Sequence, residues 1–120
     1  MKELKSVFSR EELTENAVKL LKKLIATPSM SRDEYNVSLI IEGFFNEHQL
    51  TVNRFKNNIW ATNKYFDAGK PSILLNTHHD TVKPNKAYTL DPFIPVEKEG
   101  KLFGLGSNDA GASLVAMVQT

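Results

Sequence analysis

Cysteine is absent from the 120 residues. That excludes disulfides, thiol nucleophiles, cysteine-based zinc fingers and iron–sulfur clusters together. Any metal must therefore be held by His, Asp and Glu. Long apolar runs are missing too. No stretch approaches the roughly 20 apolar residues that span a bilayer. The start, Met1 to Lys5, is not followed by an apolar core of leader-peptide length. A cytoplasmic protein without a membrane partner is the expectation. Charge of one sign is not in excess, with 15 Lys and Arg against 14 Asp and Glu. Like charges run no longer than Lys22-Lys23, which argues against a nucleic-acid partner. Low-complexity sequence and internal repeats are absent, and the hydrophobic fraction, 41%, is that of an ordinary folded chain.

What is present reads as an α/β unit. Leu13, Ala17, Leu20, Leu21 and Leu24 recur at helical spacing, so residues 10–26 form a helix that Pro28 terminates. Ser31 stands three residues before Glu34, the spacing of a capping box, and opens a second helix. Its apolar stripe is Val37, Ile40, Ile41, Phe44 and Phe45, with Gly43 read as room for close packing and His48 as a boundary residue. Short strands follow at 51–55 and 59–65 around Asn57-Asn58, with Trp60 expected in the core. Residues 72–77 have the look of a central strand buried on both faces. A hairpin with Gly100 in a left-handed position joins 94–97 to 101–104. An apolar helix starts at Ala110 and runs to Thr120. Helices followed by strands and a further helix indicate a layered α/β domain.

Two stretches carry chemistry. In Leu74-Leu75-Asn76-Thr77-His78-His79-Asp80, a strand runs into two His and an Asp. The carboxyl ends of strands are where α/β sheets bind ligands. His78 and Asp80 share one side of an extended segment, and His79 faces the other. One reading makes His78 a metal ligand whose ring Asp80 orients. The other makes them a structural pair. In Gly104-Leu105-Gly106-Ser107-Asn108-Asp109, the glycines allow a tight turn before a helix. Asp109 is then a helix N-cap, or the turn is a phosphate loop of a nucleotide-binding module built on Gly104 and Gly106. A carboxylate at the third glycine position argues against phosphate.

The order of motifs is informative. Pro28-Ser29 comes first, then the Leu-Leu strand into His78-x-Asp80-Thr81-Val82-x-Pro84. Asp91-Pro92-Phe93 follows, and then Gly100-Lys101-Leu102-Phe103-Gly104-x-Gly106-x-x-Asp109. This order resembles the zinc amidohydrolases of the acetylornithine deacetylase, succinyl-diaminopimelate desuccinylase, glutamate carboxypeptidase and aminoacylase group. The resemblance covers nearly the whole chain. It implies a layered α/β/α metallopeptidase catalytic domain, of which 1–120 is the N-terminal portion. It also implies that His78 binds zinc, that Asp109 bridges two zinc ions and that Asp80, the catalytic aspartate, orients His78. Cobalt could replace zinc. The general-base Glu, the remaining metal ligands and the lid domain of a homodimeric parent would lie beyond residue 120, so the 120 residues alone are expected to be inactive.

The implied reaction is hydrolysis of the amide of a small N-acyl amino acid, N-acetylornithine in arginine biosynthesis, with a dipeptidase or aminopeptidase as the alternative. The chain departs from the group at Leu105, where Arg is usual, and at Ala110-Gly111, where Met-Lys-Gly is common. Those departures bear on the substrate and leave the ligands intact.

Overall fold

The computed structural model describes residues 8–120; Met1 to Lys5, read above for a leader, lie outside them. Helix α1 (Arg10–Ile25) opens on a capping box that the spacing of hydrophobic residues does not reveal. Ser9 Oγ accepts from the Glu12 amide at 3.1 Å, and the Ser9 amide donates to Glu12 Oε2 at 2.7 Å. Glu11 and Glu12 in the first turn and Lys22 and Lys23 in the last suit the helix dipole.

Helix α2 (Tyr35–Glu47) starts later than the Ser31–Glu34 spacing predicts. Glu34 occupies the cap position, and no side chain caps the helix. The reason is competition for the two side chains. The Ser31 hydroxyl is hydrogen-bonded to Asp80, and the Glu34 carboxylate accepts from the Arg32 amide at 2.8 Å and from Asn57 Nδ2 at 2.9 Å. Gly43 is not a close-packing site either, since a Cβ there would meet nothing within 4 Å.

Two antiparallel hairpins follow. Strands β1 (Val52–Phe55) and β2 (Asn58–Ala61) pair Val52 with Ala61 and Phe55 with Asn58, so the turn is Lys56-Asn57. This hairpin lies on α2. Arg54 fastens it there, donating to Glu42 and, at 2.8 Å, to Ser38 Oγ. Alternation turns Ile59 towards the helices and Trp60 outwards. Trp60 is 49% exposed, which corrects its assignment to the core. Strands β3 (Val96–Lys98) and β4 (Lys101–Phe103) are joined by Glu99-Gly100, both at positive φ (52° and 72°), the geometry that a two-residue hairpin turn demands.

Helix α3 (Ala112–Val118) starts two residues after the Ala110 start read from the sequence. Leu20, Leu21 and Ile25 of α1 meet Val37, Ile41 and Phe44 of α2 and Leu114 and Val115 of α3 in one core. Each such side chain, fully buried, contributes about 1.5–3 kcal/mol.

Residues 72–77 depart most from expectation. They form no strand ladder, and Ile73 and Leu74 are 90% and 84% exposed. A central strand needs neighbours on both edges. The strands described here pair within their own hairpins, and among the described residues the one isolated parallel bridge, Met30 with Thr81, falls beyond the run. The element mixture is nonetheless α/β.

The bonds to Glu34 have a pH signature. Chiefly the Arg32 amide, opposed by slight burial and aided by Asn57, holds its carboxyl below the usual 4.5. A lowered carboxylate stabilises the fold above its unfolded pKa, and the contribution is lost as pH falls through the folded value. Glu34→Gln is therefore expected to lower the urea midpoint at pH 7, with the difference from wild type closing as the pH drops below 4.5. Parallel urea titrations across that range check it.

Candidate metal centre

The segment 78–81 is positioned by the chain just after α1. Pro28 ends the helix, and Ser29, 3% exposed, docks on residues 79–81. Its carbonyl accepts from the Thr81 amide at 2.7 Å, and its hydroxyl donates to the His79 carbonyl at 2.8 Å. This fixes the backbone on both sides of Asp80.

Extended geometry then sends alternate side chains apart. His79 turns away from the site, and its Nε2 donates to the Asn57 carbonyl at 2.9 Å. His78 and Asp80 face the other way together. His78 Nδ1 lies 3.0 Å from Asp80 Oδ1 and 3.2 Å from the Asp80 carbonyl. Both partners are acceptors, so Nδ1 carries the proton. In the neutral ring Nε2 then presents a lone pair.

That lone pair points at Asp109. His78 Nε2 and Asp109 Oδ1 are 3.1 Å apart across 31 residues of chain. The approach depends on the turn after β4. The Leu105 amide donates to the Pro92 carbonyl at 2.7 Å, and Leu105 is buried, so the place where the resembling group carries Arg is here an apolar anchor. Gly106 has φ 76°, and a Cβ on it would stand 2.6 Å from Thr81 Cγ2. Only glycine satisfies both demands. Residues Ser107–Gly111 then swing through non-helical backbone at Asp109 (φ −115°, ψ 95°), with a cis peptide bond after it. Asp109 therefore does not cap α3, whose cap position is Gly111. Its carboxylate is directed to His78.

Two acceptors facing each other at 3.1 Å require a proton or a cation between them. Partial burial pulls the His78 pKa down, yet the bonds and charge of Asp80 and Asp109 outweigh it, and the net direction is upward from 6.5. Asp80 is lowered, first by the Ser31 hydroxyl and then by His78, against some burial. The separation is close to the about 3.3 Å expected between two ligand atoms of a tetrahedral zinc ion. Imidazole and carboxylate are also zinc donors. Among the described residues no group of three or more His, Cys, Asp or Glu could hold a metal. Reading single motifs gave no hint of Ser31, Glu34 and Asn57 as supports. The one available signal was the Pro-Ser-x-Ser spacing, which puts two hydroxyls on one side of an extended segment after a helix end.

Residues 74–120, which contain His78, Asp80 and Asp109, match Peptidase family M20/M25/M40. Three similar proteins are each named succinyl-diaminopimelate desuccinylase. That of Sulfurovum sp. (strain NBC37-1) is 31% identical over 106 residues, covering 87% of this chain and 28% of the relative. That of Xylella fastidiosa (strain 9a5c) is 37% identical over 103 residues, covering 79% and 26%. That of Bordetella pertussis (strain Tohama I) is 31% identical over 107 residues, covering 82% and 27%. The chain thus spans about a quarter of the length of these curated relatives. The C-terminal part of the chain is thus similar to the M20 family, and most of the chain to succinyl-diaminopimelate desuccinylases.

Gly106→Ala tests the turn. The left-handed backbone alone costs about 1–2 kcal/mol for a residue with a Cβ. The contact with Thr81 adds to that, so the melting temperature is expected to fall. The His78 ring signals are expected to shift in the same variant, because Asp109 is displaced.

Proposed function

We propose that residues 1–120 form the N-terminal, metal-binding portion of a zinc-dependent hydrolase that cleaves the amide bond of an N-acyl amino acid. The observation that carries this is the acceptor pair, His78 Nε2 against Asp109 Oδ1 at 3.1 Å, with Asp80 behind the ring. His78 and Asp109 would hold the metal, which when bound supplies Lewis-acid polarisation of the scissile carbonyl and an acidified water. Asp80 keeps the proton on Nδ1 and the lone pair on Nε2, so the ring meets its ligand position without rotating. Asp109 offers a second oxygen, which suits a carboxylate shared between two cations. Cobalt is the alternative metal.

The acyl group is read in two ways. The motif order favours N-acetylornithine, a deacetylation in arginine biosynthesis. The names of the similar proteins favour an N-succinyl substrate, which brings an additional carboxylate. Comparing turnover of N-acetylornithine and an N-succinyl diamino acid divides them. A nucleotide-binding role for Gly104 and Gly106 is disfavoured, because the Asp109 carboxylate stands where phosphate would approach.

In the full-length protein, His78→Ala and Asp109→Ala are each expected to lose most bound zinc and at least about 100-fold in amide hydrolysis. Zinc content after dialysis, read beside the rate, checks this. Full zinc occupancy and activity in both variants would overturn the metal reading and leave the two residues as a structural pair.

A further inference from the structure

Asp80 has two carboxylate oxygens, and the structure divides them. Oδ1 faces His78 Nδ1 at 3.0 Å. Oδ2 accepts from the Ser31 hydroxyl. We propose that Ser31 is a positioning residue of this centre: its hydroxyl fixes the rotation of the Asp80 carboxylate, so that Oδ1 stays in line with the His78 ring. The proposal rests on the metal reading above and extends it to a residue 49 positions earlier in the chain.

Three observations carry it. First, Ser31 is free for the task. The capping role that its spacing to Glu34 suggests is not taken up, since α2 begins at Tyr35 without a side-chain cap. Second, the backbone that presents Ser31 is held independently of its hydroxyl. The Ser29 carbonyl and hydroxyl clasp Thr81 and His79, and the Asp33 amide donates to the Met30 carbonyl at 2.8 Å. Arg32 at φ 75° closes the turn that delivers the next residues to α2. Third, a carboxylate held through one oxygen alone can rotate about its Cβ–Cγ bond, a broad torsion with little intrinsic preference. The second bond removes that freedom. The ring it serves stands at the end of an exposed segment without ladder support, where orientation depends on side-chain partners.

Removing the hydroxyl leaves Asp80 and His78 in place and loosens their alignment. A carboxylate touching a ligand is worth about 10- to 100-fold in metal affinity, and a group acting through that carboxylate is expected to be worth less, about 3- to 10-fold.

The experiment uses the full-length protein and its Ser31→Ala, Ser31→Thr, Asp80→Ala and His78→Ala variants. Zinc affinity is measured by competition with a chromophoric chelator, together with kcat and KM and the melting temperature of the metal-free form. Ser31→Ala is expected to weaken zinc about 3- to 10-fold and to lower kcat with little change in KM. Its metal-free melting temperature should stay at the wild-type value, and Ser31→Thr should return zinc affinity to within about twofold of wild type. Zinc affinity unchanged in Ser31→Ala but reduced in Asp80→Ala would overturn the positioning role and leave the metal reading standing. A Ser31→Thr variant as weak as Ser31→Ala would overturn it too, because the hydroxyl would not be the agent. Wild-type zinc affinity in His78→Ala would overturn the metal reading itself.

Discussion

The candidate centre hangs on the docking of the Pro28-Ser29 turn against residues 79–81. One buried serine makes two backbone-directed bonds there, from the Thr81 amide to its carbonyl and from its hydroxyl to the His79 carbonyl. Those bonds fix the backbone on either side of Asp80. With the segment extended, alternation does the rest: His78 and Asp80 emerge together and His79 departs. The clasp also joins the end of α1 to residues 79–81, so the segment that carries His78 and Asp80 is tied to the α1–α2–α3 core.

Around that junction the polar groups form two opposed sets. On one side, Ser31, Asp80, His78 and Asp109 run in a line from hydroxyl to carboxylate to imidazole to carboxylate. On the other, His79 donates to the Asn57 carbonyl, while the Asn57 amide and the Arg32 amide meet on Glu34. The second set braces the first, because it holds the β1–β2 turn and the start of α2 against the same backbone. The two histidines are therefore unequal for a reason of strand geometry. One is anchored by a main-chain carbonyl, and the other is left with a lone pair that needs a cation or a proton.

Much of this was legible in the sequence. The apolar periodicity located α1, α2 and α3, because a stripe such as Leu20, Leu21, Leu24 has one sensible use. The hairpin at Gly100 was legible from turn chemistry. His78, Asp80 and Asp109 stood out by residue type and order. Boundaries set by competing side chains were not legible. Ser31 and Glu34 satisfy a capping-box spacing, and only the fold reveals that Asp80 and Asn57 claim them first. Gly106 read as a flexible turn residue, whereas Thr81, 25 positions earlier, is what makes it necessary. Trp60 read as core from its place on a half-buried strand, yet a two-stranded hairpin on a helix buries one face only, and Trp60 is on the other.

The run Ile73-Leu74-Leu75 is the clearest case where a correct local inference does not become local structure. Its composition is that of a strand covered on both faces. Covering it takes ladder partners, and among the described residues the bridge nearest to it, Met30 with Thr81, lies beyond the run. Strand propensity is a statement about neighbours, so the same residues are exposed where neighbours are lacking. This bears directly on the site. A ligand at the end of a paired strand is held by the sheet, whereas His78 is held by side chains: Asp80 on one nitrogen, Asp109 on the other, with Ser31 behind. The precision of the centre in this chain therefore rests on a row of hydrogen bonds rather than on a sheet. In such a row, loosening any member is felt at the imidazole.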